Sequence, residues 1–244
     1  MAQRLHVVLA RAGVASRRQA ERLIRDGRVS VNGKVVTRLG TKVLWGQDTI
    51  RVDNRILRRL DPRLTIVLNK PKQVLTTSRD PRGRLTTAEL VRALKARLFP
   101  VGRLDYHTEG LLILTTDGAL AHFLQHPRFG IPKTYRAKVK GLPTEQALGH
   151  LRSGVMLDGR ATAPAQVQKS GTTGKNAWLE ITIREGRNRQ VRRMCESVGH
   201  PVMKLRRIQY GPIRLGDLKP GKFRQLTANE MEKLRKYVTG EKVP

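Results

Sequence analysis

The chain has 244 residues, with 49 Lys and Arg against 19 Asp and Glu and a formal charge of +30. That excess points to a polyanion, most commonly nucleic acid, while 4% aromatics argue against a platform stacking many single-stranded bases. Cys195 stands alone, which excludes a disulfide framework and a cysteine-based zinc site. No apolar run nears the ~18 residues of a membrane span and no long apolar export segment opens the chain, so a cytoplasmic protein is expected.

A first helix is expected over residues 5–12, where Leu5, Val8, Leu9 and Ala12 keep helical spacing before Gly13. Ser16 opens a second, with Gln19 in capping-box register and Gly27 as the stop. On it Ala20, Leu23 and Ile24 share one arc, and Arg17, Arg18, Arg22, Arg25 and Arg28 share the complementary one. Such clustered guanidiniums repel by a few tenths of a kcal/mol per close pair and lack the acidic partners of an ordinary solvated face, so the arc reads as a phosphate-binding surface. Val29, Val31, Asn32-Gly33, Val35 and Val36 then read as a hairpin beside Lys34. The run S-R-R-Q-A-E-R-L-I-R-D-G-R-V-x-V-N-G-K-V-V resembles the alpha-L RNA-binding module named after ribosomal protein S-four, over roughly residues 3–52. The resemblance makes Arg17, Arg18, Arg22, Arg25, Arg28 and Lys34 candidate RNA contacts. Residues 1–63 hold fifteen Lys and Arg against five Asp and Glu, a net +10. Arginine-rich Asn54–Arg63, closed by Asp61-Pro62, reads as a linker.

From Leu64 the pattern changes. Leu64–Leu68 is expected as a strand entering Asn69-Lys70-Pro71, Thr76–Thr87 as a basic loop, and Thr87–Leu98 as a helix. The central stretch is Val101-Gly102-Arg103-Leu104-Asp105-Tyr106-His107-Thr108-Glu109-Gly110, an apolar run to Leu114, then Thr115-Thr116-Asp117-Gly118. It reads as a polar loop feeding a buried strand. On composition alone Asp105 could be a loop cap or half of a surface ion pair. A helix over Ala119–Gln125 follows, then an alternating strand over Ile131–Lys140 with Tyr135, Ala137 and Val139 on one face. Thr144–Ser153 reads as a helix, Gly171–Lys175 as a hairpin turn rather than a phosphate loop, and Ala177–Ile183 as another strand. Glu185-Gly-Arg187-Asn-Arg189-Gln-Val-Arg192-Arg193-Met194 starts a helix whose core face is Val191, Met194, Cys195 and Val198. At 100° per residue Arg192 borders that face and Arg193 points nearly opposite. Lys204–Tyr210 is a further strand, and Leu218–Phe223 precedes a last helix, Ala228–Val238.

G-R-L-D-x-x-T-x-G-L-L-(I/L)-L-T-x-D-G resembles the catalytic-aspartate motif of the RsuA-type bacterial ribosomal RNA pseudouridine synthases. Asn69-Lys70-Pro71, Pro132-Lys133-Thr134-Tyr135 and E-G-R-N-R-Q-V-R-R-M resemble that family's other motifs, although Lys72-Gln73-Val74 stands where a glycine usually follows the first. The resemblance implies an α+β fold: the small module at 1–60, then a synthase domain at 61–238 with a long mixed, mostly antiparallel sheet flanked by helices, and a tail at 239–244. It implies conversion of uridine to pseudouridine in ribosomal RNA, with the last motif closer to large-subunit members. The chemistry breaks the bond from ribose carbon 1′ to base nitrogen 1 and rejoins the base through carbon 5, so neither metal nor organic cofactor is expected. By resemblance Asp105 is the catalytic carboxylate, attacking carbon 1′, adding to the base or acting at the 2′ position through a glycal. Arg192 is its cation, Tyr135 the base-stacking ring, Leu205 the aliphatic floor and Arg103 the residue that helps displace the base. Lys70, Arg187, Arg189 and Arg193 complete the candidate substrate contacts, the last three as phosphate contacts or solvated surface. The expected partner is ribosomal RNA or a pre-ribosomal particle, met by a monomer. The rivals are a small-subunit enzyme and a non-catalytic assembly factor on the same fold.

Overall fold

Two units organise the chain, Met1–Arg63 and Leu64–Pro244, in a computed structural model that describes residues 2–58 and 63–239. In the first unit, β1 (Gln3–Arg4) leads into α1 (Leu5–Arg11) and α2 (Arg17–Arg25). Ser16 and Gln19 form the reciprocal capping box that satisfies two orphan donors at the start of α2. Leu5, Val8, Leu9, Ala20 and Ile24 bury one face of the helix pair against Val29, Val43, Ile50 and Val52. β2 (Val29–Val31) and β3 (Lys34–Val35) close on Asn32 and Gly33, both at positive φ as the tight hairpin turn demands. β4 (Lys42–Val43) pairs with β1, while β5 (Ile50–Val52) and β6 (Arg55–Ile56) extend the hairpin sheet in the order β3-β2-β5-β6.

The expected linker at Asn54–Arg63 is corrected at its start. Asp53 and Asn54 take positive φ and turn the chain back, so Arg55–Ile56 becomes an edge strand. Residues 59–62 of that stretch, and 240–244 of the expected tail, lie outside the described residues.

The second unit is built on a nine-stranded sheet. β7 (Thr65–Lys70) is buried along its whole length. The helix expected over Thr87–Leu98 is shorter: α3 covers only Thr87–Leu90, followed by a single 3-10 turn. Its start is tied by Thr87 N–H to Leu75 O, and its end must reach β8 (Phe99–Pro100), which pairs with the next strand, so the chain leaves the helical path early. β9 (Glu109–Thr115) is the buried strand expected after Asp105. Asp117 caps α4 (Gly118–Gln125), β10 spans Lys133–Lys140, and Thr144 caps α5 (Glu145–Ser153). A small hairpin, β11 (Met156–Leu157) and β12 (Arg160–Ala161), precedes β13 (Gln166–Thr173) and β14 (Asn176–Ile183), which turn at Gly174-Lys175. α6 (Gln190–Ser197), β15 (Val202–Tyr210), β16 (Ile213–Arg214), β17 (Phe223–Gln225) and α7 (Ala228–Thr239) complete the unit.

The strand order is β13-β14-β10-β15-β9-β7-β17, with β16 on β15 and β8 on β9. Only β15 and β9 run parallel, so the mixed, mostly antiparallel sheet is as expected. β7 and β9 are packed on both faces. Ile66, Leu68, Leu112 and Leu114 join the core with α5 and α6; Val67, Leu111 and Ile113 join a second core with α4 and α7. At Gly110 the two halves of the sheet meet, and a Cβ there would lie 2.2 Å from Arg207 O and 2.7 Å from Arg207 N. With φ at 108° as well, that position admits only glycine.

Candidate active site

The loop from β8 to β9 is pinned on several sides. Val101 N–H donates to Ile113 O, and Leu104 exchanges hydrogen bonds with the buried Thr76 hydroxyl at 2.8 and 3.2 Å. Gln73 N–H holds Tyr106 O at 2.7 Å, and Thr108 N–H closes a turn onto Asp105 O at 3.0 Å. Asp105 is thus presented on a rigid backbone at the edge of a cleft of about 440 Å³. Its carboxylate accepts no hydrogen bond and joins no ion pair among the described residues. The alternatives of a loop cap or a surface pair therefore do not describe it.

Two cations share the carboxylate's field. Lys70 ends β7, is fully buried, and donates from Nζ to Pro71 O at 2.9 Å. Burial pushes its ammonium down to about 8, against the opposing pull of Asp105 and Glu109. Arg192, on the first turn of α6, donates to Val202 O and His107 O at 3.3 and 3.2 Å, with the Thr108 hydroxyl at 3.5 Å. Burial and the charge of Arg189 lower its affinity for the proton, while Asp105 raises it. Its Nε is buried without a hydrogen-bond partner among the described residues.

The apolar wall comes from the alternation of three strands. Tyr135 on β10, Leu205 on β15 and Ile183 at the end of β14 are buried and line the cleft. Arg103 sits exposed at the rim. Cys195 packs in the core, where burial pushes its thiol up to about 12, so it is inert at neutral pH.

Sequence reasoning passed over Arg207. Alternation alone puts it on the face of Leu205, two residues on, and that was the available signal. Its guanidinium is buried, donates from Nε to Leu111 O at 2.7 Å, and approaches the Tyr135 hydroxyl at 3.4 Å, with Nη2 lacking a hydrogen-bond partner among the described residues. It also stands 5.0 Å from the Tyr210 ring centre. Lys133 is a second cation missed in the cleft, pushed down to about 8 by burial and then by Arg207.

The remaining arginines separate. Arg187 lines the cleft but is committed to backbone and carboxylate: it reaches Arg160 O and Ala161 O on the β11–β12 hairpin and Glu185. Arg193 forms a bidentate pair with Asp158 at 2.8 and 2.6 Å, on the side of α6 away from the core. Arg189 is exposed at the N-cap of α6 with φ of 48°. In the first unit Arg17, Arg18, Arg22, Arg25 and Lys34 are all exposed. Arg28 lies beyond the end of α2 and is held by Asp53 at 2.8 and 2.6 Å, so it departs from the free arc expected for it. A charge partner 25 residues away cannot be read from helical phase.

No helix among the described residues is long and apolar enough to cross a membrane, and no cluster of His, Cys, Asp and Glu there could hold a metal. A sheet of this order carries a loop aspartate at one cleft with a tyrosine, a leucine and a buried arginine. Residues 64–197 match the family described as RNA pseudouridylate synthase, residues 3–50 match the S4 domain, and the chain belongs to that synthase family.

It is 46% identical to ribosomal large subunit pseudouridine synthase B of Bacillus subtilis (strain 168), over 96% of each chain. It is also 46% identical to an uncharacterized RNA pseudouridine synthase of Aquifex aeolicus (strain VF5), over 100% of this chain and 98% of that one. A solved pseudouridylate synthase superposes with a TM-score of 0.69 at 30% identity, covering 95% of this chain and 99% of the other.

Proposed function

We propose that this chain converts a specific uridine to pseudouridine in the ribosomal RNA of the large subunit, acting as a cytoplasmic monomer on the RNA or a pre-ribosomal particle. One observation carries the chemistry: an unpartnered carboxylate on a rigid loop, flanked by two cations and facing an apolar wall. The Bacillus subtilis relative's name and the E-G-R-N-R-Q-V-R-R-M motif both favour the large subunit. We assign RNA docking to the first unit and the reaction to the second.

In the reaction the bond between carbon 1′ and nitrogen 1 breaks, the base turns, and carbon 1′ bonds to carbon 5. Carbon 5 gives up its proton and nitrogen 1 gains one, so no atom is lost overall. Whether Asp105 acts at carbon 1′, on the base or at the 2′ position, it must be ionised beside the glycosidic bond. The Lys70 and Arg192 charges favour that form. Arg103 displaces the base from its stack, Tyr135 stacks on it, and Leu205 supports it from below. Flipping costs a few kcal/mol, which stacking worth about 1–3 kcal/mol per base helps offset.

Carbodiimide treatment followed by primer extension on ribosomal RNA, with and without the protein, tests the reading. A new stop at a large-subunit uridine is expected. A stop confined to small-subunit RNA would move the substrate to the other subunit, and no new stop would leave a non-catalytic RNA-binding role.

A further inference from the structure

The face of the sheet opposite the cleft carries a feature that the reaction does not use. Along β10, Tyr135, Ala137 and Val139 are buried, while Arg136, Lys138 and Lys140 alternate onto the other face. Arg136 lies directly opposite Arg206 of β15, and Lys138 directly opposite Lys204. On the other flank, β14 sets Glu180 against Arg136 and Trp178 against Lys138. None of these positions is buried.

Like charges directly opposed across neighbouring strands destabilise a sheet, and here two such pairs stand in succession on strands interior to it. Among the described residues Arg136, Lys138, Lys204 and Arg206 take part in no ion pair. The adjacent carboxylate, Glu180, accepts from Gln168 instead, and Arg136 lies over the Trp178 ring at 5.0 Å from its centre. Some arginines of the unit are paired elsewhere: Arg84, Arg152, Arg187, Arg193 and Arg224 each meet a carboxylate. Among the described residues the four-cation ladder thus forms no ion pair where opposition is costly, even with Glu180 across from Arg136.

We infer that this ladder, Arg136, Lys138, Lys204 and Arg206 around Trp178, is a second RNA-backbone surface, engaging phosphates of the substrate RNA away from the nucleotide in the cleft. The inference rests on the reading of the chain as an RNA-modifying enzyme and extends its footprint to the far side of the sheet. Cations spaced about 7 Å along a strand and about 5 Å across the pair make a flat array of point charges. The centre of a protein–protein interface is apolar and depleted of lysine, whereas cations with an aromatic ring among them are how nucleic-acid grooves are built.

The test is a triple variant, Arg136→Gln/Lys138→Gln/Lys204→Gln, which spares every group placed in the cleft. Binding to an in-vitro transcript of large-subunit ribosomal RNA is measured across a salt series. The slope of log K against log salt should shrink by about two to three units, with the single-turnover rate at saturating protein unchanged within about twofold. A control that removes as many exposed charges elsewhere, Arg92→Gln/Lys95→Gln/Lys233→Gln, should change the slope by less than about one unit. An unchanged slope in the first variant, or equal changes in both, overturns the inference. Thermal melting of the free protein at low salt should show the first variant at least as stable as wild type, since repulsion is removed. A lower melting point would make the ladder structural and overturn it. Should the triple variant fail to fold, Arg136→Gln/Lys204→Gln, one residue from each opposed pair, carries the binding measurement. Tritium release from 5-tritiated uridine is read separately, so an inactive wild type would defeat the enzymatic reading while the slope still decides the surface.

Discussion

The arginines of α2 and the buried cations of the second unit are similar residues used in different ways. Arg17, Arg18, Arg22 and Arg25 stand exposed along one helix, without a hydrogen-bond or ion-pair partner among the described residues. Charges in that setting are screened over about 8 Å at physiological salt and act as a sum, giving affinity and salt dependence with little directional demand. Lys70, Arg192 and Arg207 are buried or half-buried, and each is held by backbone carbonyls: Pro71, Val202 with His107, and Leu111. Carbonyls fix a cation in place without cancelling its charge. The positive field therefore persists, and for Lys70 and Arg192 the unpartnered Asp105 lies within it. The diffuse charge of α2 and the focused field at Asp105 thus arise in separate units by separate physics.

The hardest blow to that division is Asp105→Asn. The amide keeps the shape and loses the charge, so RNA binding should persist while pseudouridine formation disappears. Tritium release above about a hundredth of the wild-type rate would remove Asp105 from the chemistry. Next in size, Arg192→Met should nearly abolish the single-turnover rate at saturating protein. Arg193→Met, one residue on and paired with Asp158, should leave that rate within about threefold and act on binding. The reverse outcome would mean that the wrong face of α6 has been assigned to the site. Both variants keep a long, helix-compatible side chain, so lost helicity does not blur the comparison.

Neutralising Arg17, Arg18, Arg22 and Arg25 together to Gln should cut the salt slope of RNA binding by about three units and spare the saturated rate. If the slope holds, the arc is merely solvated. The smallest effect concerns pH. Lys70 and Lys133 are depressed from 10.5 to about 8 in the folded chain. Between those values these lysines bind more protons in the unfolded chain than in the native one, so stability should rise from about pH 8, with the Cys195 thiol, raised from 9.0 to about 12, offsetting part of the gain above 9. Urea unfolding at pH 8 and pH 10 would register it, and Lys133→Met should reduce the rise. A flat profile in wild type would mean that neither ammonium is desolvated as the geometry implies.

Local pattern was enough for much of this protein. The capping box at Ser16, the Asn32-Gly33 hairpin, the alternation of β10 and β14, and the buried strand behind Asp105 all depend on neighbours within a few residues, where spacing and turn chemistry are decisive. The phase of α6 likewise separated Arg192 from Arg193. What tertiary structure decided lies where distant segments meet. Gly110 is obligatory only because β15 passes against β9, almost a hundred residues later. Arg207 is buried because that same crossing brings Leu111 O to its Nε. The short α3, the Arg28–Asp53 pair and the Arg193–Asp158 pair have the same origin. Each was set by a partner far along the chain, and periodicity, which compares a residue only with its near neighbours, carries no information about such partners.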